Sequence, residues 1–489
     1  MERDTHSMRM LVLNTVAFTV CFAVWMLYGV LITFLVDQQY LHIDKAQMGW
    51  LIGIPVLTGS VMRLPLGMLT DRYGGKPVYI GVMLFAALGL LVTSRVSTYE
   101  GFLLGGLLFG MSGASFAVGI AYTSVFFPRE RQGTALGVFG VGNAGAAVTT
   151  LFAPALLKRF TNGGAEIEGW RTLPLVYAVA LLAMCAVFFL FAVNKKPPHA
   201  GSSSFLEMLR PLRDIRVWRF GLYYFIVFGA FVALSQWLVP YYLNVYGMSL
   251  AMAGYLASVF SLPSGVIRAL GGWMSDKFGA RTTMYWVLTT CIVCFVLLIV
   301  PRMEIRSPGQ GIMADRAGTV REVTSDAIVV ENERIPLKKE VPLDPQMLEE
   351  GVFVLPVVRS WQEPAVKVGQ RVQKREILAR GITHIYFQAN VWVFTVLVFI
   401  AGIAMGIGKA AVYKHIPEYF PSDVGTVGGL VGVLGGLGGF LCPILFGYML
   451  RGAGLWTSCW MFLAAITIVA LVWMHIVVLH MTKGQTSPK

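Results

Sequence analysis

Long apolar stretches separated by short polar turns fill most of the chain. A helix needs about 20 apolar residues to cross a bilayer. Stretches of that length lie approximately at residues 10–36, 47–70, 77–95, 101–126, 133–157, 172–193, 217–246, 250–275, 282–301, 386–412, 425–450 and 455–481. The first follows a short polar start without a small-residue cleavage site, so we expect a retained span. The pattern predicts an all-α polytopic membrane protein with twelve transmembrane helices.

Two polar regions interrupt this series and predict its division into domains. Residues 194–216 contain three prolines and a run of three serines, and they are predicted to form a cytoplasmic linker. The linker separates a six-helix bundle at 1–193 from a second bundle at 217–301 and 384–489. Residues 302–383 have 25 charged positions out of 82. They predict a small soluble β-rich module inserted between spans nine and ten.

Three segments of this module predict strands. They are Ala327–Val330, Gly351–Leu355, and a strand, turn and strand over Ala365–Ala379. The last segment resembles half of the barrel-sandwich fold of biotinyl/lipoyl-like domains. It has no lysine in the Met-Lys context that such domains modify, so we expect no cofactor there. Counting spans places the module on the extracytoplasmic face, and the sequence assigns no protein partner to it.

The composition agrees with a membrane protein and excludes several other classes. With 56% hydrophobic and 13% charged residues, the chain lies outside the usual range of soluble domains. The net charge of +13 does not predict nucleic-acid binding, because the basic residues are spread over the turns between spans. Alternate turns carry Arg72, Lys76, Lys277 and Arg281. The positive-inside rule therefore predicts that these turns and both termini are cytoplasmic, in a multi-pass protein of the inner (cytoplasmic) membrane.

Two arginines lie inside apolar stretches and within the same local sequence. Arg63 precedes Asp71 by eight residues, and Arg268 precedes Asp276 by the same number. At 1.5 Å per residue this is about 12 Å of helix, so each guanidinium is expected near the middle of the membrane. A charge there costs roughly 2.5–3.5 kcal/mol on insertion scales and is usually functional. The pair predicts two cations that converge on an anion.

The turns after these arginines carry a duplicated motif of the form Gly-x-x-x-Asp-Arg/Lys-x-Gly. It occupies Gly67–Gly74 and Gly272–Gly279, and it resembles the loop motif of the major facilitator superfamily. The resemblance implies two parallel six-helix repeats around a central site, and transport by alternating access. We expect Asp71 and Asp276 to clip neighbouring helices together and to bias the conformational cycle without binding substrate.

A second duplicated signal lies in spans five and eleven. The glycine-rich runs Phe139–Gly145 and Gly432–Phe440 resemble the nitrate signature, and its partner, of the nitrate/nitrite porter (NarK-type) family. Such glycines let helices approach closely and can turn backbone amides toward a small ligand, with simple helix packing as the alternative. The candidate ligands here are Gly142, Asn143 and Gly436. Asn143 is the strongest of them, because an amide inside a span is costly without a partner.

The family resemblance assigns substrate contacts to further residues. It implies that Arg63 and Arg268 bind nitrate or nitrite, and a guanidinium suits a planar oxyanion because its fork donates two parallel hydrogen bonds. It also implies aromatic walls from Phe116, Tyr224 and Phe228. The last two are four residues apart and share a helix face. Core packing is the alternative for the two phenylalanines.

The predicted spans contain no acidic residue, which bears on coupling. Lys409 is the only other charge away from the ends of these spans, and it either titrates during the cycle or snorkels from the cytoplasmic end of span ten. Two fixed guanidinium charges without a carboxylate favour exchange of nitrate and nitrite. Nitrate/proton symport through Lys409 is the first alternative, and an anion sensor with the carrier fold is the second.

An enzyme is not expected from this sequence. A membrane-bound oxidoreductase needs histidines on facing helices for haem or a cluster of cysteines, whereas His475 and His480 lie on one helix. We therefore expect no cofactor and no metal. The expected partners are nitrate, nitrite and the lipid bilayer, with protons added in the symport alternative.

Overall fold

The computed structural model describes residues 2–196, 205–352, 355–420 and 424–486. The helices are α1 (Glu2–Trp25), α2 (Leu27–Asp37), α3 (Lys45–Val61), α4 (Arg63–Tyr73), α5 (Gly75–Thr93), α6 (Tyr99–Phe109), α7 (Ser115–Ser124), α8 (Arg129–Gly140), α9 (Gly145–Phe160), α10 (Thr172–Phe191), α11 (Phe205–Leu209), α12 (Ile215–Tyr224), α13 (Ala230–Tyr246), α14 (Leu250–Val266), α15 (Arg268–Phe278), α16 (Ala280–Leu297), α17 (Pro345–Glu350), α18 (Val391–Tyr419), α19 (Val424–Ala453) and α20 (Ser458–Thr486). The strands are β1 (Met303–Met313), β2 (Gly318–Val323), β3 (Ala327–Val330), β4 (Glu333–Pro336), β5 (Val357–Pro364), β6 (Arg371–Val372) and β7 (Ile377–Phe387).

The chain forms two compact units. One consists of Met1–Ile299 with Thr395–Lys489, and the other of Val300–Phe394. The first unit contains the long apolar helices. Part of the predicted linker, residues 197–204, lies outside the described residues, and the rest of it includes α11 and a 3-10 turn at Arg210–Arg213.

Eleven helical segments of the described residues are long and apolar enough to cross a membrane, and the bent pair of α14 and α15 makes a twelfth. They agree with the twelve predicted spans to within a few residues except at span ten, which starts later and ends later than predicted because α18 covers Val391–Tyr419. The predicted start at residue 386 is wrong, because Tyr386 and Phe387 close strand β7 and α18 begins only at Val391. An apolar strand runs here into an apolar helix, so hydropathy marks no boundary. The boundary is a cap, in which Asn390 Oδ1 accepts the Trp392 N–H at 3.0 Å.

Several spans change helical geometry near their middle. In span two α3 gives way to α4 at Met62, and in span eight α14 gives way to α15 at Ile267 with a bend of 45°. Spans four and five contain 3-10 turns at Gly110–Ala114 and Val141–Ala144, and span seven contains a π turn at Phe225–Gly229. Such turns redirect side chains and are frequent at functional sites. The predicted substrate-binding residues of these five spans lie in or beside the breaks.

The duplicated motif produces duplicated geometry. Helices α4 and α15 have 11 residues each, and each ends at a glycine of positive φ, 90° at Gly74 and 86° at Gly279. Glycine adopts this conformation without the clash that a Cβ would cause. The chain therefore reverses in the same way at both turns.

The two six-helix halves meet closely at one end of the spans, called here the Asp44 end. Gly49 of α3 lies against Pro443 of α19, and Gly254 of α14 lies against Thr150 of α9. In both places a Cβ on the glycine would overlap the opposing backbone. Span two is thus packed on span eleven, and span five on span eight, without intervening side chains.

Charge and aromatic contacts add to this closure. Arg451 Nη1 and Asp44 Oδ2 are 3.1 Å apart, and Lys45 Nζ lies 5.3 Å from the centroid of the Trp456 ring. At the opposite end of the spans, called the Asp71 end, a Cβ on Gly133 or Gly425 would meet nothing within 4 Å. These contacts favour a conformation closed at the Asp44 end.

The inserted unit forms two small antiparallel sheets. Their strand orders are β1-β7-β5 and β4-β3-β2-β6. Strands β1 and β7 pair from Met303 opposite Phe387, so the unit's entry and exit strands lie side by side. Its core is built from small and branched apolar residues, among them Val320, Ile328 and Leu378.

One of the three strand predictions for this unit agrees with the structure, and a second agrees in part. Ala327–Val330 is β3. In Ala365–Ala379 the turn at Gly369, with φ 85°, is followed by β6 and the start of β7, but residues 365–368 ahead of the turn form no strand. The prediction of a strand at Gly351–Leu355 is wrong for its described residues. Val352 makes only an isolated bridge to Ala389, and the φ of 84° at Gly351 turns the chain after α17. Residues 353 and 354 lie outside the described part.

Candidate functional site

Arg63 begins α4 immediately after the break at Met62, and only 3% of its surface is exposed. Its Nη1 donates a hydrogen bond of 2.9 Å to the carbonyl oxygen of Gly432 in α19. Its Nε and Nη2 have no hydrogen-bond partner among the described residues. These two N–H groups point in the same direction and form the fork with which a guanidinium donates two parallel bonds. One edge of the Arg63 guanidinium is thus fixed by the Gly432 carbonyl, and its Nε and Nη2 edge is available to bind a ligand.

Arg268 occupies the equivalent place in the second half, as the first residue of α15 after the break at Ile267. It is half-buried and lies beside Gly140 of α8, where a Cβ would stand 3.1 Å from Arg268 Cδ. Its Nη1 is buried without a partner. The two duplicated arginines therefore both carry uncommitted donors inside the protein.

A stack of three aromatic rings lies beside the arginines. The Tyr224 and Phe228 rings are 4.9 Å apart at 6°, and the Phe228 and Phe116 rings are 6.0 Å apart at 23°. The guanidinium carbon of Arg63 lies 4.9 Å from the Phe228 centroid and 5.1 Å from that of Phe116. The guanidinium carbon of Arg268 lies 5.5 Å from the Phe116 centroid. Both cations therefore share the ring of Phe116.

Three residues of this cluster were not found by reasoning from the sequence. The ring of Tyr413 lies 5.1 Å from that of Tyr224, and the Arg268 guanidinium carbon is 5.8 Å from its centroid. Trp25 lies 5.6 Å from the Arg63 guanidinium carbon, and Ser60 Oγ is buried without a partner. Tyr413 follows Lys409 by four residues, so a shared helix face was the available signal. Trp25 and Ser60 reach the site only through the packing of α1 and α3, which no local pattern reveals.

The two candidate glycines fall in different places. A Cβ on Gly436 would stand 2.5 Å from Ser60 Oγ and 3.4 Å from Arg63 Nη1, so Gly436 borders the Arg63 side chain. A Cβ on Gly142 would instead overlap the ring of Phe18. Gly142 therefore allows span five to pack on α1 and does not face the arginines.

Asn143 is fully buried in the 3-10 turn of span five. Its Nδ2 donates to the Gly140 carbonyl oxygen at 2.7 Å, and its Oδ1 has no partner. Because Gly140 borders Arg268, this hydrogen bond fixes the turn that supports the arginine. Asn143 is thus near the site, with its amide nitrogen directed to the backbone.

Lys409 is fully buried near the middle of α18. Its Nζ donates a hydrogen bond of 3.2 Å to Ser264 Oγ and lies 3.1 Å from the centroid of the Phe231 ring. The snorkelling interpretation is therefore wrong for this conformation, because the side chain crosses to α14 instead of running to the end of its own helix.

The two motif aspartates have different surroundings. Asp276 Oδ1 is 2.6 Å from Lys414 Nζ, an ion pair that joins α15 to α18. Asp71 is exposed and makes no ion pair with the residues that the structure describes. An ion pair thus joins Asp276 to a neighbouring helix, and Asp71 has no counterpart to it among the described residues; the role of both aspartates in gating stays a prediction.

The central cluster has an excess of positive charge. Among residues 2–196, 205–352, 355–420 and 424–486, no carboxylate lies within 4 Å of the nitrogen atoms of Arg63, Arg268 or Lys409. An unpaired charge inside a protein is costly, so a bound anion would supply the missing partner. The free fork of Arg63 beside flat rings suits a small planar oxyanion.

The match to known families covers the helical part of the chain. The Major Facilitator Superfamily profile matches residues 13–308 and 377–489, and it leaves out most of the inserted unit. The first of these ranges contains both duplicated arginines, and the second contains Lys409 and the glycine run of α19.

Curated relatives match along nearly the whole chain. A protein of Thermus thermophilus named "Probable nitrate/nitrite antiporter NarK1" is 38% identical over 98% of this chain and 93% of its own length. The "Nitrite extrusion protein" of Bacillus subtilis is 24% identical over 95% of this chain and 93% of its own. The "Probable nitrate transporter NarT" of Staphylococcus epidermidis is 24% identical over 97% and 96%.

Solved transporters share the fold at low sequence identity. A bacterial homologue of the human lysosomal transporter Spinster, in an inward-facing and occupied conformation, matches with a TM-score of 0.64 at 14% identity over 98% of both chains. FucP in the outward conformation matches with a TM-score of 0.57 at 14% identity, over 96% of this chain and 99% of that one. The family profile and the full-length relatives together show that the chain belongs to the major facilitator superfamily of transporters and, within it, to the NarK-type nitrate/nitrite porter family.

Proposed function

We propose that the protein exchanges nitrate and nitrite by alternating access, with one anion bound at a time between Arg63 and Arg268. The observation that carries the proposal is the unpartnered Nε and Nη2 edge of Arg63, held in place from behind by the Gly432 carbonyl. The names of the relatives from Thermus thermophilus and Bacillus subtilis support the choice of anions.

The surroundings of Arg63 favour a flat anion over a tetrahedral one. Nitrate and nitrite keep all their oxygen atoms in one plane, where the guanidinium fork can donate to two of them. The rings of Phe116 and Phe228 beside the fork offer no hydrogen bond to an oxygen above or below that plane. A sulfate or phosphate ion would leave such oxygens without partners, at a cost of roughly 1–3 kcal/mol for each.

The charge of the site favours exchange over net transport of an anion. Without an anion, Arg63 and Arg268 would both lose water when the site closes at both ends, which is unfavourable for unpaired charges. A bound anion offsets part of that cost, so the loaded carrier changes conformation more readily than the empty one. The cycle would then open the Asp44 end and close the Asp71 end.

We place the Asp71 end at the cytoplasmic face of the inner membrane. The turns at that end carry Arg72, Lys76, Lys277 and Arg281, as the positive-inside rule requires. Both termini are on the same side in this arrangement. Residues 302–383 connect spans nine and ten and are therefore extracytoplasmic.

Nitrate/proton symport is the second candidate, and the burial of Lys409 favours it. A buried lysine that donates its hydrogen bond to a serine hydroxyl, with no carboxylate beside it among the described residues, can release its proton when the surroundings change. Asp71 and Asp276, proposed to act in gating, lie at the helix ends and not beside Lys409. The candidates therefore differ in whether Lys409 changes its charge during the cycle.

Counterflow in proteoliposomes tests the proposal. Vesicles loaded with nitrite should take up labelled nitrate, and vesicles without internal nitrite or nitrate should take up little. An imposed pH gradient should leave the exchange rate unchanged, whereas a symporter would accumulate nitrate in response to it. If the protein binds nitrate but gives no flux in either assay, it is a sensor, and both the exchange and the symport hypotheses are contradicted.

A further inference from the structure

A second group of basic and aromatic side chains lies in the second half of the chain, apart from the central cluster. It is located at the Asp71 end of the spans, where α12 and α16 begin and α18 ends. We call it the Arg219 cluster, and its members are Arg219, Tyr223, Arg281, His415 and Tyr419. None of these residues contributes to the contacts proposed for nitrate.

Arg219 lies little more than one turn inside α12, close enough to the helix end to extend toward solvent. It turns inward instead, and only 6% of its surface is exposed. Its guanidinium carbon is 5.1 Å from the Phe220 centroid and 5.6 Å from the Tyr419 centroid. Among the described residues its Nε has no hydrogen-bond partner and no carboxylate lies within 4 Å of it, with Asp214 acting on it only at longer range. A buried guanidinium in this state needs an anionic partner.

The groups around Arg219 converge on one small cavity. The Tyr223 hydroxyl, on the same face of α12, is buried and has no hydrogen-bond partner among the described residues. Arg281 Nη2 donates to the Tyr419 hydroxyl at 3.1 Å, which orients that guanidinium. His415 is 4% exposed, and its Nδ1 lies 3.0 Å from the Ala411 carbonyl oxygen, so its Nε2 is directed away from the backbone.

The fourth wall of the cavity is apolar. It is formed by Met474, Val477 and Val478 of α20, the span with the smallest buried share, 28%. The cavity is small, with room for about one water-sized group. A ligand could therefore insert one oxygen atom between the cations while the rest of it stays outside.

We infer that the Arg219 cluster binds an oxygen of a phosphate group, and that this group is the headgroup of an anionic phospholipid. Basic pockets between transmembrane helices at the cytoplasmic side recognise such headgroups. The position at the ends of four spans and the apolar wall on the most lipid-exposed helix fit a phospholipid better than a free ion. Inorganic phosphate has the same donor requirements, so the test must separate the two sources.

The test uses the full-length protein in detergent and native mass spectrometry. Dioleoyl phosphatidylglycerol and dioleoyl phosphatidylcholine are added separately, and inorganic phosphate is added as a competitor. The variants are Arg219→Gln and Tyr223→Phe, and the control is Arg216→Gln. Arg216 lies on the same helix but pairs with Asp214 at the surface, with 45% of its side chain exposed. Thermal unfolding of each variant verifies that the bundle is intact.

The expected result is one tightly bound phosphatidylglycerol per chain in the wild type and in Arg216→Gln. Its affinity should fall by about tenfold or more in Arg219→Gln, since one charge-assisted hydrogen bond is lost, and by a smaller factor in Tyr223→Phe. Equal affinity in the wild type and in both cluster variants would overturn the site. Displacement of phosphatidylglycerol by inorganic phosphate at similar concentration would overturn the lipid as its source. The test involves no transport, so its outcome is independent of the proposed exchange.

Discussion

Arg63 and Gly432 belong to opposite halves of the chain, and a hydrogen bond of 2.9 Å from Arg63 Nη1 to the Gly432 carbonyl oxygen joins them in the middle of the protein. This contact makes the glycine-rich helix α19 part of the proposed anion site. Because the bond crosses the interface between the halves, a rocking motion that moves α4 away from α19 would break it. The arginine proposed to bind the anion would then also lose its anchor when the carrier changes conformation.

The glycine beside this contact gives the first prediction. Gly436→Ala should lower nitrate/nitrite counterflow by roughly tenfold or more while the protein still inserts. The added Cβ would overlap Ser60 Oγ at 2.5 Å and would touch Arg63 Nη1 at 3.4 Å, and overpacking of this kind costs about 1–3 kcal/mol. Initial rates of counterflow, normalised to inserted protein, measure the effect.

The same helix supplies the control for this change. A Cβ on Gly425 would meet nothing within 4 Å, so Gly425→Ala should transport normally. Adding Ser60→Ala to Gly436→Ala removes the closest overlapping atom and should restore part of the rate. If both Gly425→Ala and Gly436→Ala lowered the counterflow rate equally, the loss could not be attributed to the contact of residue 436 with Ser60 and Arg63.

The ion pair between Asp44 and Arg451 is predicted to stabilise the closed Asp44 end. Arg451→Gln should shift the conformational equilibrium toward opening at that end by up to about fivefold, since an exposed pair contributes roughly 0.2–1 kcal/mol. Spin labels at residues 95 and 455, in turns of opposite halves at that end, should report longer distances. Arg159→Gln changes an exposed charge at the same end and should leave the distances unchanged.

The pH dependence of this ion pair follows from the surroundings of the acid. The Gln47 backbone N–H and the Arg451 guanidinium lower the pKa of the Asp44 carboxyl. A lowered pKa means that the contribution to closure is present above the ordinary pKa of aspartate, about 4, and is lost as the pH falls through the lowered value. The spin-label distances should therefore be constant between about pH 6 and 8 and lengthen only in strong acid. A transition near neutral pH would contradict this assignment.

Lys409 distinguishes exchange from symport. Lys409→Met should leave nitrate/nitrite counterflow running, because counterflow requires only that the loaded site crosses. If the wild type couples nitrate uptake to a proton gradient, the same variant should lose that coupling. Counterflow and gradient-driven uptake, measured on one preparation, separate the two. Loss of counterflow with retention of gradient-driven uptake would contradict both interpretations of Lys409.

The inserted unit is predicted to be dispensable for transport. Arg306 and His384 lie opposite each other in the pairing of β1 with β7, so residues 307–383 can be replaced by Asn-Gly to close a short hairpin. The superfamily profile, which spans both flanks and omits most of this unit, supports the same division. Nitrate binding and counterflow should persist in the shortened protein. Loss of nitrate affinity in a correctly inserted deletion variant would assign part of the site to this unit.

Much of the transmembrane fold could be predicted from the sequence because apolar length and the duplicated motif are local signals. Arg63 and Arg268 occupy the same position in a repeated sequence motif, so their equivalence could be predicted. The structure adds that both residues begin a helix after a break. The start of span ten was misplaced because a buried strand and a span are both apolar. The prediction of a strand at Gly351–Leu355 was wrong because Gly351, with its positive φ, turns the chain directly after α17.

The candidate site could be predicted only in part. The family resemblance assigned five residues to the site, and the structure places them together: Arg63, Arg268, Phe116, Tyr224 and Phe228. Packing between spans that are distant in the sequence brings three further residues to the site, Tyr413, Trp25 and Ser60. A single sequence does not reveal such packing. Gly142 shared the family signal but packs against Phe18, since a glycine run contains no information about which member faces the ligand.

The most direct test of the central claim is nitrate/nitrite counterflow by Arg63→Lys and by Arg268→Lys, with Arg95→Lys as the control at an exposed turn. Lysine keeps the charge but cannot donate two parallel hydrogen bonds. The account predicts that each site variant loses about tenfold or more of the nitrate affinity and of the counterflow rate, while Arg95→Lys equals the wild type. Near-normal nitrate affinity and counterflow in both site variants would contradict the claim that the two arginines bind the anion.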